Sequence, residues 1–263
     1  MNTKLSIADF QYQMEVSGYV IFEQVVPTHL LEQARIDIPK RQEICRLWQQ
    51  KNGLEAGMEG AAHHIVGGGD SLEAFLYGFY LDEYIRAYFG GEYILNSYGA
   101  LNNLPYSSDA YKHGQRFHRD VRTYSKDFRL MLNMLVMVDD FTVKNGATKV
   151  VPGSHRVQQR PDDAYLEAHA VRATGWAGSV VLFDSNLWHS AAPNTTRQSR
   201  MALTLTFTRP FFKQQMDYPR MLGEDYPKNE QMRQLLGYNA RVPNGYDEWY
   251  QTPEKRMYKP GQG

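Results

Sequence analysis

The chain has 263 residues, enough for one domain with a sizeable buried core, and its 29 basic and 29 acidic side chains cancel. That balance gives no reason to expect a nucleic-acid or membrane-surface partner, and no run of about 18 apolar residues is present to cross a bilayer. The single cysteine, Cys45, excludes an internal disulfide and any multi-cysteine zinc site, and the opening MNTKLSIADFQYQ has no apolar run of signal-peptide length, so a reducing, cytoplasmic setting is expected.

Residues 6–17 read as a helix with Ser6 as N-cap and Gly18 after the last turn. The run GYVIFEQVV reads as a strand bounded by Pro27. Thr28 is then expected to cap a long helix to about Gln50, with Leu30, Leu31, Ile36, Ile38, Ile44 and Leu47 as its apolar positions. The glycine-rich stretch 51–70, ending in HHIVGGGD, reads as a loop and a candidate lid. Ser71 and Asp82 start two short helices that stop near Gly90-Gly91.

The pattern changes at about residue 92. Short strand-like runs come next, separated by turn residues: EYILNSYGALNNL, FRLMLNMLVMV, TKVVPGS, SVVLFDSNLWHS and MALTLTFTR. The predicted class is mainly β with flanking helices, an all-β sandwich or barrel packed against N-terminal α-helices. One domain is expected over residues 1–263: a mainly helical part at 1–91, the β core at 92–212 and an irregular extension at 213–263 with a helix around 227–237. The 18 tyrosines suit the lining of an organic-ligand pocket and ordinary core packing equally.

Within HGQRFHRD, His118 and Asp120 stand two apart, which on a strand places both side chains on one face. An imidazole and a carboxylate supply two of the three ligands that a mononuclear oxygenase iron takes on one triangular face. Taken alone, the tripeptide is also compatible with a surface histidine beside a routine charge. His189, at the end of the apolar run SVVLFDSNLWH, is the histidine a buried strand can deliver inward; the alternative is a core histidine bonded to a backbone carbonyl. The polar turn SAAPNTTRQS then reads as the loop of a hairpin that returns Arg200 towards His189. One face of the returning strand carries Arg200, Ala202, Thr204, Thr206 and Thr208, and the other Met201, Leu203, Leu205 and Phe207. The second face wants helices or a second sheet, while the first suits a hydrated cavity headed by a guanidinium able to grip a carboxylate.

Three segments, QRFHRD, VDDFTVKNGATKVVPGSHR and LWHSAAPNTTRQSR, make the chain resemble the phytanoyl-CoA dioxygenase family of non-heme Fe(II), 2-oxoglutarate-dependent oxygenases. The resemblance spans roughly residues 93–209. It implies a double-stranded β-helix (jelly-roll, cupin-like) core, His118, Asp120 and His189 as iron ligands, and Arg200 as partner of the far carboxylate of 2-oxoglutarate. It further implies Gln115 as the amide on the near carboxylate and Thr148 as a hydroxyl assisting the arginine. Several relatives carry Lys-Pro before the H-x-D motif; here Leu104-Pro105 stands there, which puts a lysine contact in doubt and leaves Asn102 or Asn103 as substitutes.

The activity that the resemblance implies is that of a dioxygenase using O2 and 2-oxoglutarate to oxidise a small organic molecule, such as a natural-product intermediate or modified amino acid, with release of succinate and CO2. Hydroxylation is the default outcome, with desaturation or rearrangement as further outcomes of the same chemistry. Position alone nominates Asn96, Tyr98, Arg119, Arg122, Arg209, Phe211, His63 and His64 as residues near the substrate. No basic cluster suits the phosphates of a CoA thioester. A catalytically silent jelly-roll that binds a ligand is the competing reading, and a cupin-type enzyme needing no 2-oxo acid is a third; the retention of two histidines, the aspartate and the arginine argues for the oxygenase. The sequence leaves the oligomeric state open.

Overall fold

A computed structural model of the chain describes residues 5–105 and 116–263. The first helix, α1 (Ile7–Ser17), starts where Ser6 Oγ accepts from the Asp9 N–H and stops at Gly18, whose φ of 78° is the left-handed closure that glycine adopts freely. Phe10 and Met14, one turn apart, bury its inner face. Strand β1 (Tyr19–Phe22) is only four residues long, because the chain turns at Glu23-Gln24 before reaching Pro27. The long helix α2 (Thr28–Lys51) forms as expected, but Pro27 is its N-cap and Thr28 its first helical residue. Its inner half buries Leu31, Ala34 and Ile38, whereas Ile36, Ile44 and Leu47 face outward.

The glycine-rich stretch departs from expectation. It contains a short strand, β2 (Ala61–His63), and is stitched along the edge of β3 (Ile94–Asn103). Asn102 N–H donates to Gly60 O at 2.7 Å, and Ile65 N–H donates to Tyr98 O at 3.1 Å. These bonds pin residues 60–65 to the sheet edge. Helices α3 (Ser71–Tyr77) and α4 (Asp82–Phe89) come next, the first capped by Asp70, whose carboxylate accepts from the N–H groups of Leu72 and Glu73.

The remaining strands are β4 (Met131–Met137), β5 (Lys149–Val150), β6 (Val171–Arg172), β7 (Val180–Asp184), β8 (His189–Ser190) and β9 (Arg200–Thr208). They form two antiparallel sheets, one ordered β1-β7-β4-β9-β3-β2 and the other β6-β5-β8. Helix α5 (Asp163–His169) sits in the connection between β5 and β6. The C-terminal stretch holds α6 (Tyr218–Leu222), α7 (Glu230–Leu235) and α8 (Tyr246–Trp249), where one helix was expected.

Period-two alternation decides how the layers assemble. On β9, Leu203, Leu205 and Phe207 join the large apolar cluster that also takes Phe10, Ile38, Leu72, Tyr84 and, from the C-terminal stretch, Tyr218 and Leu236. The helices thus cover one face of the large sheet. The opposite face looks toward the second sheet across a smaller cluster that includes Leu135, Met137, Phe141, Val150, Val181, Phe183 and Ala202.

Two sequence expectations fail at this level. SVVLFDSNLWHS is not one strand: β7 ends at Asp184, and residues 185–188 carry the chain from the large sheet to the small one before β8 begins. His189 and Arg200 do not flank a hairpin either. His189 pairs with Val150 in the small sheet, whereas Arg200 pairs with Asn103 in the large one.

Candidate metal centre

His118 and His189 approach because their backbones pair. The His118 N–H donates to His189 O at 2.9 Å and the His189 N–H donates back to His118 O at 3.1 Å, an antiparallel bridge on the edge of β8. The two rings lie 4.3 Å apart between centroids. Each imidazole Nδ1 sits 2.9 Å from a carbonyl two residues earlier, Arg116 O for His118 and Leu187 O for His189. A carbonyl only accepts, so the proton is on Nδ1 and each Nε2 presents a lone pair.

Both lone pairs meet Asp120. His118 Nε2 is 3.6 Å from Asp120 Oδ1 and His189 Nε2 is 3.7 Å from Oδ2. One ligand atom from each of the three residues lies within 4.8 Å of the others. Atoms so spaced share a point within about 2.8 Å of each, and contraction by at most about 0.6–0.8 Å brings that point to a metal-bond length of about 2.0–2.2 Å. Burial holds the His189 imidazole below its ordinary pKa against the opposing pull of Asp120, which keeps it neutral. Two imidazoles that turn their Nε2 atoms inward and a carboxylate on one triangle, with the other side open, suit a divalent transition metal that keeps free positions. The opening lies on one side: His189 is 9% exposed, against 40% for His118 and 33% for Asp120.

The surrounding bonds fix this geometry. Asn133 on β4 donates its Nδ2 to Asp120 Oδ2 at 2.8 Å. Phe183 stands edge-on to the His189 ring at 4.9 Å. Asn186, in the turn between β7 and β8, donates to the carbonyls of Val121 (3.0 Å) and Thr123 (3.1 Å) and accepts from Ser125 N–H (3.1 Å), so it holds the loop beyond Asp120. Neither Asn186 nor Asn133 is among the residues expected from the sequence. The signal for Asn133 is present there, since an asparagine inside the apolar run LMLNMLVM needs a partner once buried.

Arg119 stands between two ligands and points the other way. It is buried, stacks over Trp188 at 4.7 Å, and donates to the carbonyls of Ser154, Val157 and Gln158. It therefore braces the metal loop from behind and does not greet a substrate. Tyr98 is also withdrawn: it is buried on the helix side and its hydroxyl donates to Leu72 O. Asn96 donates to Lys213 O at 3.2 Å, Arg122 is exposed, Arg209 lies over the Phe128 ring at 5.2 Å, and Phe211 is half exposed beside Phe212.

Arg200 opens β9, buried at 6% exposure, with its guanidinium 3.8 Å over the Phe141 ring. Its Nε donates to Asn145 O (3.3 Å) and its Nη2 to Gly146 O (3.2 Å). Gly146 has φ 79°, and a Cβ there would meet Ala192 O and Asn103 Nδ2, so the NGA turn is shaped to offer these carbonyls. Asn103 donates to Asn145 O and Ala192 O, tying β3 to the same turn. Thr148, two residues beyond, is half-buried and uses its carbonyl to accept from Ala173 N–H. Gln115 lies outside the described residues.

The model of the phytanoyl-CoA dioxygenase family matches residues 14–202 of the chain. The chain belongs to the phytanoyl-CoA dioxygenase family. Among relatives by sequence, the uncharacterized protein Rv1501 of Mycobacterium tuberculosis is 45% identical over 149 residues, 56% of this chain and 55% of that one. The chain thus spans about half the length of that relative and of its Mycobacterium bovis counterpart Mb1539. Dioxygenase trt7 of Aspergillus terreus is 27% identical over 72% of this chain and 66% of its own. Among solved structures, iron-bound EctD from S. alaskensis superposes with a TM-score of 0.61 at 21% identity, covering 82% of this chain and 81% of EctD. That likeness identifies the two facing sheets as the cupin-type jelly-roll shared by this phytanoyl-CoA dioxygenase family member.

Proposed function

We propose that this phytanoyl-CoA dioxygenase family member is a non-heme Fe(II)/2-oxoglutarate-dependent dioxygenase that oxidises a small organic molecule, with hydroxylation as its ordinary outcome. The observation that carries the reading is the arrangement of His118 Nε2, His189 Nε2 and the Asp120 carboxylate on one triangle, with both Nδ1 protons committed to carbonyls. His118, Asp120 and His189 would hold Fe(II), which with 2-oxoglutarate and O2 supplies the oxidising power for attack on an unactivated carbon while succinate and CO2 leave.

The chain's own residues do the positioning. Arg200 offers a buried guanidinium, stacked and oriented by Phe141 and the NGA carbonyls, to the far carboxylate of the oxo acid. Gln115 and Thr148 complete that cradle in this reading. Asn133 steadies the Asp120 carboxylate, and Phe183 with the inter-sheet apolar cluster keeps water from the inner side of His189. Among the described residues no helix is long and apolar enough to cross a membrane.

Anaerobic addition of Fe(II) and 2-oxoglutarate should give a weak visible charge-transfer band at about 500 nm, the signature of a metal chelated by an oxo acid. Asp120→Ala should abolish both the band and succinate release in a protein that still folds, with the loss of the bond from buried Asn133 costing about 1–3 kcal/mol of stability. Undiminished turnover in that variant removes Asp120 from the metal and the reading with it.

A further inference from the structure

Strand β9 is paired on both sides, with β4 and with β3, and its helix-facing Leu203, Leu205 and Phe207 are buried. Its other face is different. Thr204 and Thr206 there stay only half-buried, and so does Ser97, which lies opposite Thr206 on β3. A row of hydroxyls partly open to solvent on the face that carries the metal centre is a surface a polar ligand can lie against. The row starts at the metal centre, because Asn133 lies opposite Thr206 on β4 and its Nδ2 holds Asp120.

Two atoms of this surface want a partner. Asn133 Oδ1 and Thr208 Oγ1 are buried, in residues 3% and 2% exposed, and have no hydrogen-bond partner among the described residues. They share one face of neighbouring strands. A buried polar atom left unpaired is costly, and two such atoms beside the metal centre point to a ligand that pairs them. The bonds already made say which kind. Thr206 donates to Asn96 Oδ1 at 3.4 Å and lies 2.7 Å from Ser97 Oγ, which then donates to it. What remains free is acceptor capacity on Ser97 and Thr206, and both an acceptor oxygen and a donor hydrogen on Asn133 and Thr208, so the ligand brings hydroxyl or amide groups that can donate and accept. It brings no net charge that these strands could balance, since Arg200 is the one charged side chain on β3, β4 and β9 and is assigned to the oxo acid. Phe183 and Val181 supply an apolar flank from β7.

We propose that Ser97, Asn133, Thr206 and Thr208 form the substrate-recognition wall, and that the substrate is a neutral small molecule bearing several hydroxyl or amide N–H groups, not an acyl chain or acyl thioester. This deepens the oxygenase reading and rests on it. The test uses the full chain with Fe(II) and 2-oxoglutarate, and the anaerobic band is read first. No band refutes the oxygenase reading itself. With the band present, succinate release is measured with neutral polar probes (nucleosides, methyl glycosides, cyclitols and cyclic dipeptides) and with straight-chain fatty acids and their CoA thioesters.

The expected result is stimulation by members of the polar set and none by the acyl set. For the best polar probe, Thr206→Val and Thr208→Val each raise KM about five- to tenfold, the worth of one hydrogen bond, with kcat little changed. Thr206→Ser restores the wild-type KM, and all three variants keep the band. Stimulation by acyl probes, none by the polar set, a wild-type KM in both valine variants, or loss of the band in them each overturns the wall.

Discussion

Replacing Asn186 by alanine tests whether the metal loop is held from behind. Its side chain is buried at 2% exposure and makes four hydrogen bonds: two donated to the carbonyls of Val121 and Thr123, two accepted from the N–H and hydroxyl of Ser125. At roughly 0.5–1.5 kcal/mol net each, the set is worth about 2–6 kcal/mol. Val121 and Ser125 are only half-buried, so water replaces part of what is lost and the expected destabilisation falls to about 2–3 kcal/mol. Asn186→Asp should be worse than alanine, because it sets a carboxylate against two carbonyl oxygens that accept and never donate. The functional consequence lies one residue away, at Asp120. Slackening residues 121–125 lets the carboxylate drift, and changes of this kind cost about 10–100-fold in metal affinity. Urea unfolding of the apoprotein gives the stability change, and calorimetric titration with Co(II) or Mn(II) gives the affinity. A variant that is destabilised as expected but binds metal as tightly as the wild type refutes the claim that Asn186 positions Asp120.

Gly146→Ala forces a side chain into a left-handed backbone against Ala192 O and Asn103 Nδ2, displacing the carbonyl that orients Arg200; KM for 2-oxoglutarate, read by succinate release, should rise at least about fivefold. Arg119→Lys keeps the charge but loses the planar stack on Trp188 and most of the carbonyl bonds, so the urea midpoint should fall by an amount equivalent to about 2–3 kcal/mol. Burial holds the His155 imidazole below its ordinary value of 6.5. The unfolded chain therefore takes up its proton first as pH falls, and stability drops from about pH 6.5 down toward the depressed value; His155→Gln should flatten the urea-midpoint profile in that window.

How far the sequence could be read depends on how local each signal is. The helix α1, with its serine cap and closing glycine, and the two faces of β9 are written in a few consecutive residues, and they form as expected. His118 and Asp120 were less legible: the tripeptide alone also fits a surface pair, and the chain there makes only an isolated bridge at His118, not the strand on which alternation would place both on one face. The misread hairpin shows the limit. SAAPNTTRQS is flanked by strand residues on both sides, but the partners that separate them, Val150 for His189 and Asn103 for Arg200, are distant in the chain. Short β2 was hidden likewise, because its strand character comes from β3 and not from AAH. Arg119 misled because a charged residue in a loop reads as solvated; only the fold supplies the three carbonyls and the indole that bury it. Asn186 read as one more turn residue in FDSNLW, since its partners lie in a loop some sixty positions earlier.

The three motifs that mark the family close on one another through bonds that touch neither metal nor substrate. Arg119, from QRFHRD, donates to Ser154 O of VVPGSH. The hydroxyl of that same Ser154 accepts from Trp188 N–H at 3.0 Å, and Val151 N–H donates to Trp188 O at 2.9 Å, one residue before His189. Gly146, from NGA, offers its carbonyl to Arg200 at the end of the third motif. The bridge between His118 and His189 is thus backed on the His118 side by Arg119 and on the His189 side by Ser154, both anchored in one segment. Disturbing that segment moves both imidazoles at once, whereas disturbing either ligand alone leaves the frame standing. A variant of the half-exposed His118 should therefore lose metal and keep its unfolding midpoint, and a Ser154 variant should lose both together.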